Sequence, residues 1–134
     1  MRIAVDTGVF SAGLSRRRRP DLEPYVARMA GNQLLLAAMT VSELRYGALV
    51  AGWGEARNRR LEEAIATASV IPVTDSLLTE AAKLRFACRE AAHPLADRMH
   101  SHDLWIAASA IHTEAALLTA DGIFAHTPGL RLVA

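Results

Sequence analysis

The sequence predicts a three-layer α/β/α sandwich built on a mostly parallel sheet of four or five strands. Three observations predict it. Short apolar runs alternate along the chain with longer stretches of helical periodicity. Those runs are continuously apolar rather than alternating with polar residues, as expected of strands covered on both faces. Finally, 134 residues of which 51% are hydrophobic suit one core of ordinary size, so residues 1–134 are expected to form one domain. No internal repeat, linker or low-complexity segment interrupts them.

Taken in order, Ile3 to Val5 is a first strand, ended by the turn signal Asp6-Thr7-Gly8. A short helical segment, Val9 to Leu14, and the basic run Arg16-Arg17-Arg18-Arg19 follow. Pro20 is expected to open a helix near Asp21 to Ala30, with Gly31-Asn32 ending it. Leu34 to Met39 is short and apolar enough for a buried strand, and Thr40-Val41-Ser42-Glu43 reads as a capping box opening a helix to about Ala51. After Gly52-Trp53-Gly54, Glu55 to Thr67 is an amphipathic helix with Arg57, Arg59, Arg60, Glu62 and Glu63 on its polar side.

Val70-Ile71-Pro72-Val73 is a third strand whose proline favours a sheet edge or a strand end. Asp75 or Ser76 is the expected cap of a long helix reaching about Ala91. Loop signals fill Ala92 to Ser101. His102 to Thr113 carries Ile106, Ala107, Ala110 and Ile111 at helical spacing, with Ser101 as its expected cap. Leu117-Leu118-Thr119 is a fourth strand and Leu130 to Val133 a possible fifth.

Composition narrows the setting. The single cysteine, Cys88, lies in an apolar stretch and has no partner for an internal disulfide, which suits a reducing compartment. Asp6 follows too soon for a secretion signal and no stretch approaches 18 apolar residues, so a cytoplasmic protein without a membrane partner is expected. Of the 15 basic residues 14 are arginine, which either reflects a GC-rich genome or suits bidentate phosphate recognition. The formal charge is +1, but if four carboxylates were neutralised by metal, 15 basic groups would face 10 acidic ones and a polyanionic substrate becomes reasonable.

In open parallel sheets the functional crevice lies beyond the carboxyl ends of the strands. Asp6 closes the first strand, Glu43 begins the helix after the second, and Asp121 follows the fourth in Leu117-Leu118-Thr119-Ala120-Asp121. Asp103 arrives in the first turn of its helix after a long loop. Singly, each has a structural explanation: a capping box for Glu43, a helix dipole for Asp103, and turns for Asp6 and Asp121. Gathered in one crevice, four carboxylates would repel one another unless a cation neutralised them. Magnesium and manganese fit, being hard ions that prefer oxygen, retain waters and bind through carboxylates together with substrate phosphates. Such an ion serves phosphodiester hydrolysis.

Four motifs then carry a resemblance. Val5-Asp6-Thr7, Thr40-Val41-Ser42-Glu43-Leu44 with Tyr46-Gly47, His102-Asp103-Leu104-Trp105-Ile106-Ala107-Ala108, and Leu118-Thr119-Ala120-Asp121-Gly122-Ile123-Phe124 resemble, in this order, the PIN domains of VapC toxins. The resemblance covers almost the whole chain. It implies that Asp6, Glu43 and Asp103 are the core magnesium or manganese ligands, that Asp121 is a more variable fourth acid, and that Thr119 is the site hydroxyl that orients a ligand or water. It further implies an endoribonuclease acting on RNA, a homodimer, and inhibition by a VapB-type antitoxin. One departure is visible: many relatives carry Asn after Asp-Thr, where this chain has Gly8. A modest loss of site rigidity is expected from it.

Other features stay open at this point. The arginine run at 16–19 either reaches phosphates flanking the cleaved bond or is simply solvated. Asp97, six residues before Asp103, is either a supporting acid or a loop charge. His102 adjoins Asp103 and either touches substrate or, as expected, has a surface or capping role. His93, His100, His102, His112 and His126 lack tight zinc-ligand spacing. Trp53 and Leu49-Val50 suit either the core or an interface. The competing readings are a dehalogenase-type phosphatase, disfavoured because Gly8 replaces the second Asp its chemistry needs, and a catalytically silent RNA-binding or scaffold protein on the same fold.

Overall fold

The computed structural model describes residues 1–134. Four strands, β1 (Arg2–Val5), β2 (Gln33–Ala37), β3 (Ser69–Ile71) and β4 (Ala116–Leu118), form one sheet in the order β3-β2-β1-β4. Every pairing is parallel. Six helices connect them: α1 (Thr7–Leu14), α2 (Glu23–Ala27), α3 (Ala38–Val50), α4 (Glu55–Thr67), α5 (Asp75–Glu90) and α6 (Ser101–His112).

The period-two geometry of the strands creates the layers. Ala4, Leu35, Ala37, Ile71 and Leu117 point into a cluster of 17 buried residues completed by α5 and α6. Their neighbours Ile3, Val5, Leu36 and Leu118 point the other way, into an 11-residue cluster closed by α1, α3 and α4. Helices therefore cover both faces, and the continuously apolar strands follow from that double burial. Ala107, Ala108 and Ala110 are all buried, and with these small side chains α6 packs closely into the larger cluster.

Several local expectations give way to specific contacts. Pro20 does not open α2. The ladder is interrupted at Pro24, which lacks an N–H and sits in the first turn, so the helix starts at Glu23. Beyond Ala27 the chain tightens into three-residue turns, with Arg28, Met29 and Ala30 bonding to Tyr25, Val26 and Ala27, so the helix does not reach Ala30. The Thr40-to-Glu43 capping box is absent: α3 begins at Ala38 with Ala37 at its N-cap, leaving Met39 in the helix rather than in β2. Thr40 is fully buried instead.

Thr74, rather than Asp75 or Ser76, caps α5, accepting a bond from the Leu77 amide at 3.2 Å. Ser101 is the first residue of α6 and His100 stands at its N-cap without a side-chain bond. Proline governs β3 as expected, because the strand lies at the sheet edge and stops before Pro72. The possible fifth strand contracts to a single parallel bridge between Leu117 and Leu132. Between α5 and α6 the loop condenses into two 3-10 turns, Pro94–Ala96 and Arg98–His100. His93 anchors the first: its Nδ1 accepts from the Leu95 amide at 3.1 Å, and Nε2 lies 2.8 Å from the Ala125 carbonyl.

Candidate active site

The strand order determines where a crevice can open. The chain moves from β1 outward through β2 to β3, then returns to place β4 on the other side of β1. Connections leaving β1 and β4 thus diverge at their carboxyl ends, the switch point at which parallel sheets leave a cleft. A depression of about 470 Å³ lies there, lined by Asp6, Glu43, Asp103 and Asp121 together with Thr7 and Gly8 among others. All four acids singled out from the sequence meet in it.

Asp6 is the most enclosed, at 7% exposure. It caps α1 through Oδ1, which accepts from the Val9 amide at 2.9 Å. Thr119 donates its hydroxyl to Oδ2 of Asp6 and accepts from the Asp121 amide at 3.0 Å. One hydroxyl therefore ties the exit of β1 to the exit of β4. Asp121 caps the 3-10 turn Gly122–Phe124, its Oδ1 accepting from the Ile123 amide at 2.9 Å. Capping and crevice membership thus coincide for both aspartates: Asp121 keeps its other oxygen free, and Asp6, with both oxygens engaged, keeps a further lone pair on each.

Asp103 projects from the first turn of α6, with His100 Nδ1 at 3.9 Å from its Oδ2. Glu43 comes from the second turn of α3. Its Oε1 lies 2.6 Å from His102 Nδ1 and 3.3 Å from the Thr7 hydroxyl. Thr7 also sits 3.1 Å from the buried Thr40 hydroxyl. The His102, Thr7 and Thr40 contacts were not legible as such in the sequence. A usable signal existed, however: positions three apart on a helix share a face, so the Thr40-to-Glu43 spacing also fits a helix already under way.

The electrostatics record the crowding. Burial raises the Asp6 carboxyl above its ordinary value of 3.8, opposed by the bonds from Thr119 and Val9 and reinforced by the charges of Asp121 and Glu43. Burial likewise raises Asp103, the Asp121 charge adds to it, His100 counteracts, and Glu43 and Asp6 contribute further repulsion. A cation placed among these oxygens would relieve both the desolvation and the repulsion. The donor set is all oxygen, which suits a hard ion. No three ionisable side chains enclose a ligating position by themselves. An ion held there would have to complete its coordination with water and substrate oxygens.

The remaining candidates fall outside the acid cluster. Asp97 caps the turn Arg98–His100 by accepting from the Met99 amide at 3.1 Å and lines a different groove, so it is not a supporting acid of this crevice. Arg18 pairs with Glu23 at 2.6 Å and Arg19 with Asp21 at 3.4 Å, whereas no ion pair engages Arg16 or Arg17. Leu22, at the end of that loop, lines the crevice. Gly8 stands at the same rim, and a Cβ there would meet Asp6 Oδ1 at an ordinary 3.8 Å.

Comparison with known proteins agrees with this geometry. The model of the PIN domain family matches residues 3–130. Ribonuclease VapC5 of Mycobacterium tuberculosis is 31% identical over 127 residues, covering 93% of this chain and 87% of the relative. Ribonuclease VapC4 of the same organism is 32% identical over 133 residues, covering 98% and 95%. Among solved structures, VapBC2 from Rickettsia felis, bound to a promoter DNA fragment, superposes with a TM-score of 0.79 at 19% identity, covering 99% of this chain and 98% of that one. VapBC-5 from Mycobacterium tuberculosis gives a TM-score of 0.69 at 24% identity, covering 98% and 97%. With its acids gathered at the switch point and the match spanning nearly its whole length, this chain belongs to the PIN domain family, among the VapC ribonucleases.

Proposed function

We propose that this chain is a divalent-metal-dependent endoribonuclease that serves as the toxin of a VapBC-type toxin–antitoxin pair. The observation that carries the chemistry is the convergence of Asp6, Glu43, Asp103 and Asp121 in one crevice at the carboxyl end of the sheet. The relatives named VapC ribonucleases support RNA as substrate, and the solved VapBC complexes support a VapB-type antitoxin as partner. A homodimer is proposed on the family resemblance, and the cytoplasm as the place where RNA and antitoxin are met. No helix is long and apolar enough to cross a membrane.

Asp6, Glu43 and Asp103 would hold magnesium or manganese, with Asp121 as a fourth acid. When bound, such an ion supplies an activated water and offsets charge developing on the scissile phosphate. The chain's own residues do the positioning. Thr119 and the Val9 amide each engage one oxygen of Asp6, fixing the plane of its carboxylate. Arg16 and Arg17, which form no ion pair in the loop that ends at Leu22, would be available to phosphates flanking the cleaved bond.

The test is incubation of the purified, antitoxin-free protein with structured RNA and manganese or magnesium, beside an Asp6→Asn/Asp103→Asn variant of matched folding. Cleavage that needs metal and disappears in the variant is expected. A well-folded protein that neither cleaves RNA nor binds either metal would be a silent scaffold on the same fold.

A further inference from the structure

Glu43 differs from Asp6 and Asp121 in how it is held. Asp6 and Asp121 bond backbone amides that follow them in the chain, so their orientation is part of a turn. Glu43 has a longer side chain, caps nothing, and projects from inside α3. Its orientation must therefore come from side chains on other elements. Two reach it: Thr7 from the first turn of α1 and His102 from the first turn of α6. Both address the same oxygen, Oε1, and no protein group bonds Oε2.

The two contacts are unequal. The Thr7 hydroxyl has one hydrogen and stands 3.1 Å from Thr40 Oγ1 and 3.3 Å from Glu43 Oε1, so it can serve only one of them as donor. His102 Nδ1 lies 2.6 Å from Oε1, the closer of the two approaches to that oxygen. We propose that His102 is the positioning residue for Glu43: it engages Oε1 and so presents Oε2 to the metal. The proposal rests on the metal-dependent reading above.

Its reach is also distinctive. Asp103, the next residue along, enters the crevice from the same turn of α6. Through His102 that turn both contributes one acid and orients another from α3 across the crevice. A carboxylate restrained at one oxygen by an outer partner is the arrangement that typically changes metal affinity about 10- to 100-fold when the partner is removed. His102 is 53% exposed at its side chain and belongs to neither core cluster, so its replacement is expected to leave the fold intact.

The experiment reads manganese binding to the full chain by the metal concentration that half-saturates its thermal stabilisation, without RNA. His102→Ala is expected to raise that concentration about 10-fold while leaving the metal-free melting temperature unchanged. His102→Asn, whose amide can donate from near the Nδ1 position, is expected to recover most of the loss. Asp103→Asn serves as the control that removes a ligand. A wild-type response abolished in Asp103→Asn but unaltered in His102→Ala overturns the role of His102 and leaves the metal reading standing. Tighter binding in His102→Ala also overturns it, because the histidine would then be holding Glu43 away from the ion. No wild-type stabilisation by manganese overturns the metal reading, and this proposal with it.

Discussion

Two depressions flank helix α6, and they differ less in size than in charge. The acid crevice measures about 470 Å³, while the groove between α5, α6 and the turn Arg98–His100 measures about 390 Å³. The crevice collects four carboxylates, two of them with raised pKa values. The groove is walled by Leu78, Ala82, Leu104 and Trp105, and its single acid, Asp97, lies beside Arg85 and Arg98. Each carboxylate of the crevice shares it with three others; the one in the groove shares it with two arginines, neither of which pairs with it. Volume alone would not separate the two, whereas the sign and crowding of charge do.

That contrast can be broken first by removing one acid. If Asp103 is a metal ligand as proposed, Asp103→Asn is expected to lower RNA cleavage about 1000-fold, since losing a direct ligand costs several kcal/mol at about 1.4 kcal/mol per tenfold in rate. Cleavage rates at saturating manganese check this. A loss below about tenfold would mean that Asp103 is a helix-start charge like any other.

The groove should respond in a different quantity. Trp105 is half-buried against the larger core cluster, so Trp105→Ala is expected to cost about 2 kcal/mol of stability, less than the 3–5 kcal/mol of a fully buried aromatic. Chemical denaturation measures it. The metal concentration giving half-maximal cleavage should stay put, and a shift of tenfold or more would show that the two depressions are not separable.

These two variants also mark what the sequence made legible. The acids could be found because a strand end is visible in apolar runs such as Ile3 to Val5 and Leu117-Leu118, and a carboxylate after such a run lies at one edge of the sheet wherever the helices pack. The two-sided core was likewise visible in continuously apolar strands. Helix starts were less so. Thr40 and Glu43 have the spacing of a capping box, but α3 begins two residues before Thr40, and the same spacing places both on one face. The groove was not visible at all, because Leu78 and Trp105 become neighbours only when α5 packs on α6. For the same reason the pairing of His102 with Glu43, 59 positions earlier in the chain, left no local trace.

Thr119 offers a finer probe of the crevice. Its hydroxyl bonds both Asp6 and the Asp121 amide, and Thr119→Val removes both bonds with little change in volume. Cleavage is expected to fall about tenfold, at the lower end of what an outer partner of a metal ligand contributes. Thr119→Ser, which restores the hydroxyl, should recover activity. Equal losses in Val and Ser variants would assign the effect to packing at the end of β4 instead.

The smallest effect is also the one that separates the electrostatics of the crevice, burial first and repulsion second, from catalysis. In the folded, metal-free chain Asp6 and Asp103 hold their protons to higher pH than the ordinary carboxylate value of 3.8. Between that value and the raised one the folded state binds more protons than the unfolded state, so stability must fall as pH rises through this window. Below 3.8 both states are protonated and the contribution is fully present; above the raised values it is gone. Asp103→Asn removes one of the two groups, and thermal melts of the metal-free variant from pH 3 upward should show a shallower decline than wild type. Manganese should flatten the wild-type curve at its upper end, because an ion among the carboxylates restores what deprotonation takes away. In Asp97→Asn, which alters the groove, the decline should persist unchanged. If that variant flattened it as well, the pH dependence would belong to the surface at large and the contrast between crevice and groove would lose its electrostatic basis.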